Sequence, residues 1–315
     1  MPLFGSYIMT DWSGGNSRRR NRKDCIWIAY GSRTDNGPRT KSPSSRTEAV
    51  EFIRPLLEDA LNNDQRVLVC FDFAYGYPEN FSTALRASTD LTGKGWEIVW
   101  RHLHDKVHDD IGGGRQATNR SNRFEVADEL NALMMPCDAA GPFWSAYPPR
   151  TYPHIPQQQP RQPFTTKQGL LVRTLRRADE CVDSKTPFCT FVKGSVGSQT
   201  LTGIPRLYDL RTDPRFTKAS AIWPFETGWA ADSGWLGKEI GILHAEIYPS
   251  VRLPLEDQIR DRGQVCSMWE WARGLDEKDV LWRQFSLPVG IEAGSKEDKA
   301  IRSEEGWILG CRSDD

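Results

Sequence analysis

Short apolar runs that stop at an acid or a glycine punctuate this chain, and they predict its strands. "SYIMT" (6–10) and "CIWIAYGS" (25–32) read as two strands joined by a basic connection, "SRRRNRK" (17–23). "GPRTKSPSS" (37–45) reads as a weaker edge strand. In "TEAVEFIRPLLEDALNN" (47–63) the apolar positions Val50, Ile53, Leu57 and Leu61 recur at helical spacing, with Ser45 or Thr47 as N-cap and Pro55 inside. "RVLVCFDFAYGYP" (66–78) is continuously apolar up to Asp72, the pattern of a strand buried on both faces. Strand, strand, helix and buried strand together make a mixed α/β order.

The middle of the chain has another character. "GKGWEIVWRHLHDKVHDD" (93–110) reads as a helix, and "IGGGRQATNRSNRFEVADELN" (111–131) as a glycine loop entering another. "YPPRTYPHIPQQQPRQPF" (147–164), rich in Pro and Gln, reads as an irregular excursion. We expect 79–187 to be an insertion within one domain covering 1–315. The core resumes with "FCTFVKG" (188–194), "AIWPFE" (221–226) and "GILHAEIYPS" (241–250).

Composition narrows the class. Hydrophobic residues are a lean 38%, offset by 12 Trp and 13 Phe, which bury the most area per residue. A formal net charge of −1 gives no general affinity for polyanions. Seven cysteines without CxxC spacing argue against a disulfide framework and predict a reducing, cytoplasmic setting. No apolar run approaches the roughly 18 residues of a membrane span. The stretch after "SRRRNRK" is too short and strand-like for a signal sequence.

The candidate chemistry lies in three acids, Asp11, Asp72 and Glu246, each at the C-terminal end of an expected buried strand. In open α/β sheets that edge binds ligands. Two carboxylates about 4 Å apart repel by roughly 4 kcal/mol at an effective dielectric of about 20. A hard divalent cation, Mg²⁺ or Mn²⁺, would relieve that repulsion. The alternative is that each acid serves its own turn, Asp11 in "DWSGG" and Asp72 in "AYGYP".

"TDWSGGN", "VCFDFAYGYP" and "HAEIYPS", in this order, resemble the ribonuclease H-like superfamily. More narrowly they resemble a bacterial family of unknown function with a predicted nuclease-like core. The similarity also takes in "NRSNRFEVADELN", "GSVGSQTLTGIP", "AIWPFETG" and "EEGWILG". Some similar members carry molybdopterin guanine dinucleotide or cobalamin biosynthesis labels, which no residue here supports. The resemblance implies a ribonuclease H-like mixed sheet flanked by helices, with a large helical and irregular insertion. It implies metal-ligand acids at Asp11 and Asp72, with Glu48 or Glu51 on the intervening helix. It also implies a further acid on a C-terminal helix, Asp276 or Asp279. Glu246 is typical of the narrower family and not of ribonuclease H itself. Two cations in such a site clamp a scissile phosphate.

Residues expected to meet that phosphate are Ser13 and Gly14 of the glycine turn, Arg19 and Arg20 of the basic connection, and Arg120 and Arg123 beside the later glycine loop. "KGSVGSQTLTG" (193–203) lacks the P-loop pattern and reads as a phosphate nest or a close-packed turn. His104 and His108 have helical ligand spacing, but a solvated helix face explains them better. The leading expectation is a divalent-metal-dependent phosphodiester hydrolase acting on nucleic acid or nucleotides. An ATP-dependent phosphotransferase of the actin and sugar-kinase type, or a non-catalytic nucleic-acid or partner-binding module, are the alternatives.

Overall fold

Alternation along the buried runs builds the sheet. In the computed structural model, which describes residues 1–109, 118–136, 140–149, 151–160, 164–192 and 194–311, strand β1 (Ser6–Asp11) pairs antiparallel with β2 (Trp27–Ser32). The short edge strand β3 (Arg39–Lys41) follows on β2. Helix α1 (Arg46–Asn62) then carries the chain back, and β4 (Val67–Phe71) enters parallel to β1 on its other side. The Ser45 hydroxyl caps α1 by accepting from the Glu48 N–H, and Pro55 is accommodated within the helix.

Between β4 and the rest of the sheet stand α2 (Phe81–Ala87), α3 (Gly95–Lys106) and α4 (Arg123–Met134). A two-stranded hairpin follows, β5 (Phe164–Thr165) and β6 (Leu171–Val172), and then α5 (Arg177–Cys181) and α6 (Gly197–Thr212). Among the described residues the stretch 188–194, expected to resume the sheet, contributes a single bridge, Cys189 to Trp144. The sheet resumes at β7 (Ser220–Ile222) and β8 (Ile242–Ile247), and β9 (Ile308–Leu309) pairs with the end of β8. The order is β3-β2-β1-β4-β8-β7, with β1, β4, β8 and β7 mutually parallel. This is the expected mixed sheet flanked by helices with a large helical insertion.

Successive side chains of a strand face opposite sides, so each central strand serves two cores. Ile8, Val67, Val69, Phe71 and Ile242 pack with α1, α3 and α6. Tyr7, Met9, Leu68, Cys70, Leu243 and Ala245 pack with α7 (Arg260–Glu277), which lies against β1 and β2. Trp269 is fully buried in this second core. The short helix α8 (Lys296–Ala300) precedes β9. No described helix is long and apolar enough to cross a membrane. The cysteine pattern argues against a disulfide framework, and among the described residues a single disulfide, Cys181 to Cys311, joins the end of α5 to the C-terminal segment.

Candidate functional site

The β1–β4 register sets the site. Thr10 is paired with Phe71, so the next residues, Asp11 and Asp72, leave the sheet side by side at its C-terminal edge. The Asp72 N–H donates to the Thr10 carbonyl (3.2 Å), and its Oδ1 accepts from the Trp12 N–H (2.7 Å). Both acids follow positions that face the α1 side, and alternation therefore directs them to the α7 side. There the first turn of α7 presents Asp261, whose Oδ2 accepts from the Asp24 N–H (2.7 Å). Asp11, Asp72, Asp261 and Asp24 line one cavity of about 480 Å³.

Repulsion and burial act together on these carboxyls. Burial, then the charges of Asp72, Asp261 and Asp24, hold the Asp11 carboxyl well above the ordinary carboxylate range. Burial is also the main cause at Asp72, whose carboxyl is pushed up to about 7 although the Trp12 N–H works against it. The Asp11 carboxylate makes no hydrogen bond or ion pair among the described residues. The expectation that each acid merely serves its own turn therefore fails for Asp11.

The opposite wall carries positive potential. Arg123, 4% exposed, opens α4 and lines the cavity. Its Nε donates to the Ser198 hydroxyl (2.8 Å) and its Nη1 to Asn16 Oδ1 (2.5 Å) and the Ser121 hydroxyl (3.0 Å). Every one of these partners is neutral. Its Nη2 has no hydrogen-bond partner among the described residues. Burial and the nearby Arg46 lower the Arg123 pKa to about 10, which leaves it charged at neutral pH. Ser195, Ser198 and Gln199, at the N-terminus of α6, line the cavity beside it. The unsatisfied amides of a helix start favour an anion there.

The loop between the two walls is held rigidly. Gln199 Nε2 donates to the Trp12 carbonyl (2.5 Å). Fully buried Arg46 donates to the Ser13 and Gly15 carbonyls (2.9 and 3.1 Å) and pairs with Asp109 (2.6 Å). Gly14 packs so closely on α6 that a Cβ would lie 2.6 Å from Ser198 Cβ. Its role is thus close approach to a helix start.

Of the residues expected from the sequence, the structure brings Asp11, Asp72, Ser13, Gly14 and Arg123 to this cavity. It does not bring Glu246. That residue pairs with Phe71 across β4–β8, so it points to the face opposite Asp11 and Asp72. Its two oxygens accept from Arg176 Nη1 and Nη2 (2.7 and 2.6 Å), and Oε2 also accepts from the Tyr75 N–H. Glu48 also lies outside the cavity lining, accepting from the Ser44 N–H and pairing with Arg20 (2.9 Å); Glu51 is exposed on α1. Arg19 and Arg120 are exposed and do not line the cavity. Arg115, the third arginine of the later glycine loop and its helix start, lies outside the described residues.

Asp276 and Asp279 sit at the far end of α7. Asp276 accepts from the Leu3 and Phe4 N–H groups and from the Tyr7 hydroxyl, and Asp279 pairs with the N-terminal amine. His104 lies between Asp105 and Asp209 (both 3.1 Å). Residues not singled out from the sequence are Asp261, Asp24, Arg46 and Gln199. The helix-opening acid after "IR" at 259–260 was the available signal for Asp261.

Among the described residues no three His, Cys, Asp or Glu side chains stand close enough together to hold a metal ion as they are placed. The four aspartates lining the cavity nevertheless offer hard carboxylate oxygens, the chemistry that suits Mg²⁺ or Mn²⁺. Compared with protein-family models, curated proteins and solved structures, the chain gives no match to any of the three.

Proposed function

We propose that this protein is a divalent-metal-dependent phosphodiester hydrolase with a ribonuclease H-like core, acting at the cavity between β1, β4, α4, α6 and α7. The observation that carries this reading is the facing of two kinds of charge: Asp11, Asp72 and Asp261 on one wall, and Arg123 with the α6 N-terminus on the other. A phosphoryl group is repelled by the acidic wall alone and attracted by the basic one. Drawn closer together than they stand, Asp11, Asp72 and Asp261 would hold Mg²⁺ or Mn²⁺, which would supply charge neutralisation and water activation at a phosphate. Arg123 donates from Nη2 to a non-bridging oxygen, and the Ser198 and Gln199 amides orient the same group. Arg46 and Gln199 keep the Trp12–Gly15 backbone between the two walls in place.

The phosphotransferase alternative is less well supported. Its frame needs two copies of this kind of sheet around a nucleotide, and the described residues form one mixed sheet and a small hairpin.

The test is cleavage of labelled DNA and RNA substrates with Mg²⁺ or Mn²⁺. Metal-dependent cleavage is expected, falling roughly 100-fold or more in Asp11→Asn, Asp261→Asn and Arg123→Met. Cleavage that persists in chelator, or that survives both Asp substitutions, overturns the reading.

A further inference from the structure

The acidic cavity has an aromatic rim that the hydrolytic chemistry does not require. Phe191 lines the cavity yet remains 46% exposed, and Tyr147 beside it is 57% exposed. The two rings stack, with centroids 5.0 Å apart and planes 29° from parallel. Val192, also lining the cavity and 40% exposed, extends the patch. A contiguous exposed apolar patch, unlike a single exposed apolar side chain, marks an interaction surface.

The patch is fixed to the basic wall. Phe124 meets Phe191 edge to face (6.1 Å, 82°), and the Arg123 guanidinium lies over the Phe124 ring (4.3 Å). The Ser145 hydroxyl donates to the Phe191 carbonyl (2.8 Å), and the Thr190 N–H donates to the Trp144 carbonyl (3.0 Å). A planar apolar surface thus stands beside the place where a phosphate would rest.

We infer that Phe191, braced by Tyr147, is a base-stacking platform, and that the substrate is an unpaired nucleic-acid strand whose base lies on this ring while its phosphate enters between Arg123 and the aspartates. This inference rests on the proposed hydrolase reading and narrows its substrate class. In a duplex both faces of each base are covered by neighbouring bases, so an aromatic platform selects single strands or frayed ends. Every base has a π-face, so the selection is for strandedness, with little dependence on sequence. The carboxylates opposite disfavour a bare phosphate backbone, so binding should strengthen with divalent cation present.

The experiment is fluorescence anisotropy with a labelled single-stranded oligonucleotide and the matching duplex. It is run with and without Ca²⁺, alongside the cleavage assay. Single strand should bind more tightly than duplex. Phe191→Ala and Phe191→Leu should weaken single-strand binding roughly 5- to 100-fold and leave duplex binding little changed, while Phe191→Trp restores it. Phe191→Leu keeps an apolar side chain at the same place, so a loss there reports the ring. Equal binding of the two forms, binding of neither, or no effect of Phe191→Leu overturns the inference. Ring-dependent single-strand binding without metal-dependent cleavage sinks the hydrolase reading alone. Cleavage that prefers duplex and ignores Phe191 sinks the platform alone.

Discussion

Asp72→Asn should stabilise the metal-free protein, and by an amount that depends on pH. The substitution keeps an oxygen to accept from the Trp12 N–H and removes only the charge. The Asp72 carboxyl ionises at an ordinary 3.8 in the absence of its surroundings and at about 7 in the fold. Below about pH 4 it is protonated in both folded and unfolded chains and costs nothing. Between 3.8 and about 7 the unfolded chain gives up the proton while the folded chain retains it, so stability falls as pH rises, and it levels off above about 7. At about 1.4 kcal/mol per pH unit the full span amounts to roughly 4 kcal/mol. Part of Asp72 faces the open cavity, where solvent screens the charge, and we expect about 1–3 kcal/mol.

Urea denaturation of both proteins in chelator, from about pH 4 to about pH 9, measures this directly. The variant should gain on the native protein up to about pH 7 and keep a constant lead beyond it. Added Mg²⁺ should narrow the lead, because a ligand that binds only the folded native protein stabilises it. Parallel stability curves across the whole range would refute the claim that this cavity holds the Asp72 carboxyl above its ordinary range.

Two further substitutions test the framework around the site. Glu246→Gln leaves the buried Arg176 with Asp179 as its remaining acid, and should cost about 3 kcal/mol in chemical denaturation, with or without divalent metal. Metal-dependent stabilisation lost in this variant alone would restore Glu246 to the ligand set. Gly14→Ala drives a methyl group into Ser198 and should cost about 1–3 kcal/mol together with most of the cleavage rate; an unaffected rate would show that the Trp12–Gly15 loop need not hold its position.

The sequence made the central strands legible because their two-sided burial leaves unbroken apolar runs, and Asp11 and Asp72 follow directly from where those runs stop. What it concealed was parity. Glu246 looks equivalent to Asp72 on the chain, but it is paired with Phe71, one residue earlier in the register, and so faces the opposite core. Register comes from strand pairing, which no local pattern records. The C-terminal helix is expected to bring Asp276 or Asp279 to the site, and the acid it places in the cavity is Asp261, at its other end. At 1.5 Å per residue, Asp276 lies about 22 Å along α7 from Asp261. An acid near a helix end is common enough that only the packing of α7 across β1 and β2 singles out Asp261. Arg123 was identified by its place at a helix start after a glycine loop, whereas Arg120, three residues earlier, points to solvent. The basic connection at 17–23 looked close to the site, but Arg20 is taken up by Glu48.

Calorimetric titration of Mn²⁺ into the purified protein and its single variants tests the central claim most directly. Heat of binding should be present in the native protein and in Glu48→Gln, and should be lost or greatly weakened in Asp11→Asn, Asp72→Asn and Asp261→Asn. Binding that survives Asp261→Asn but disappears in Glu48→Gln would contradict the account.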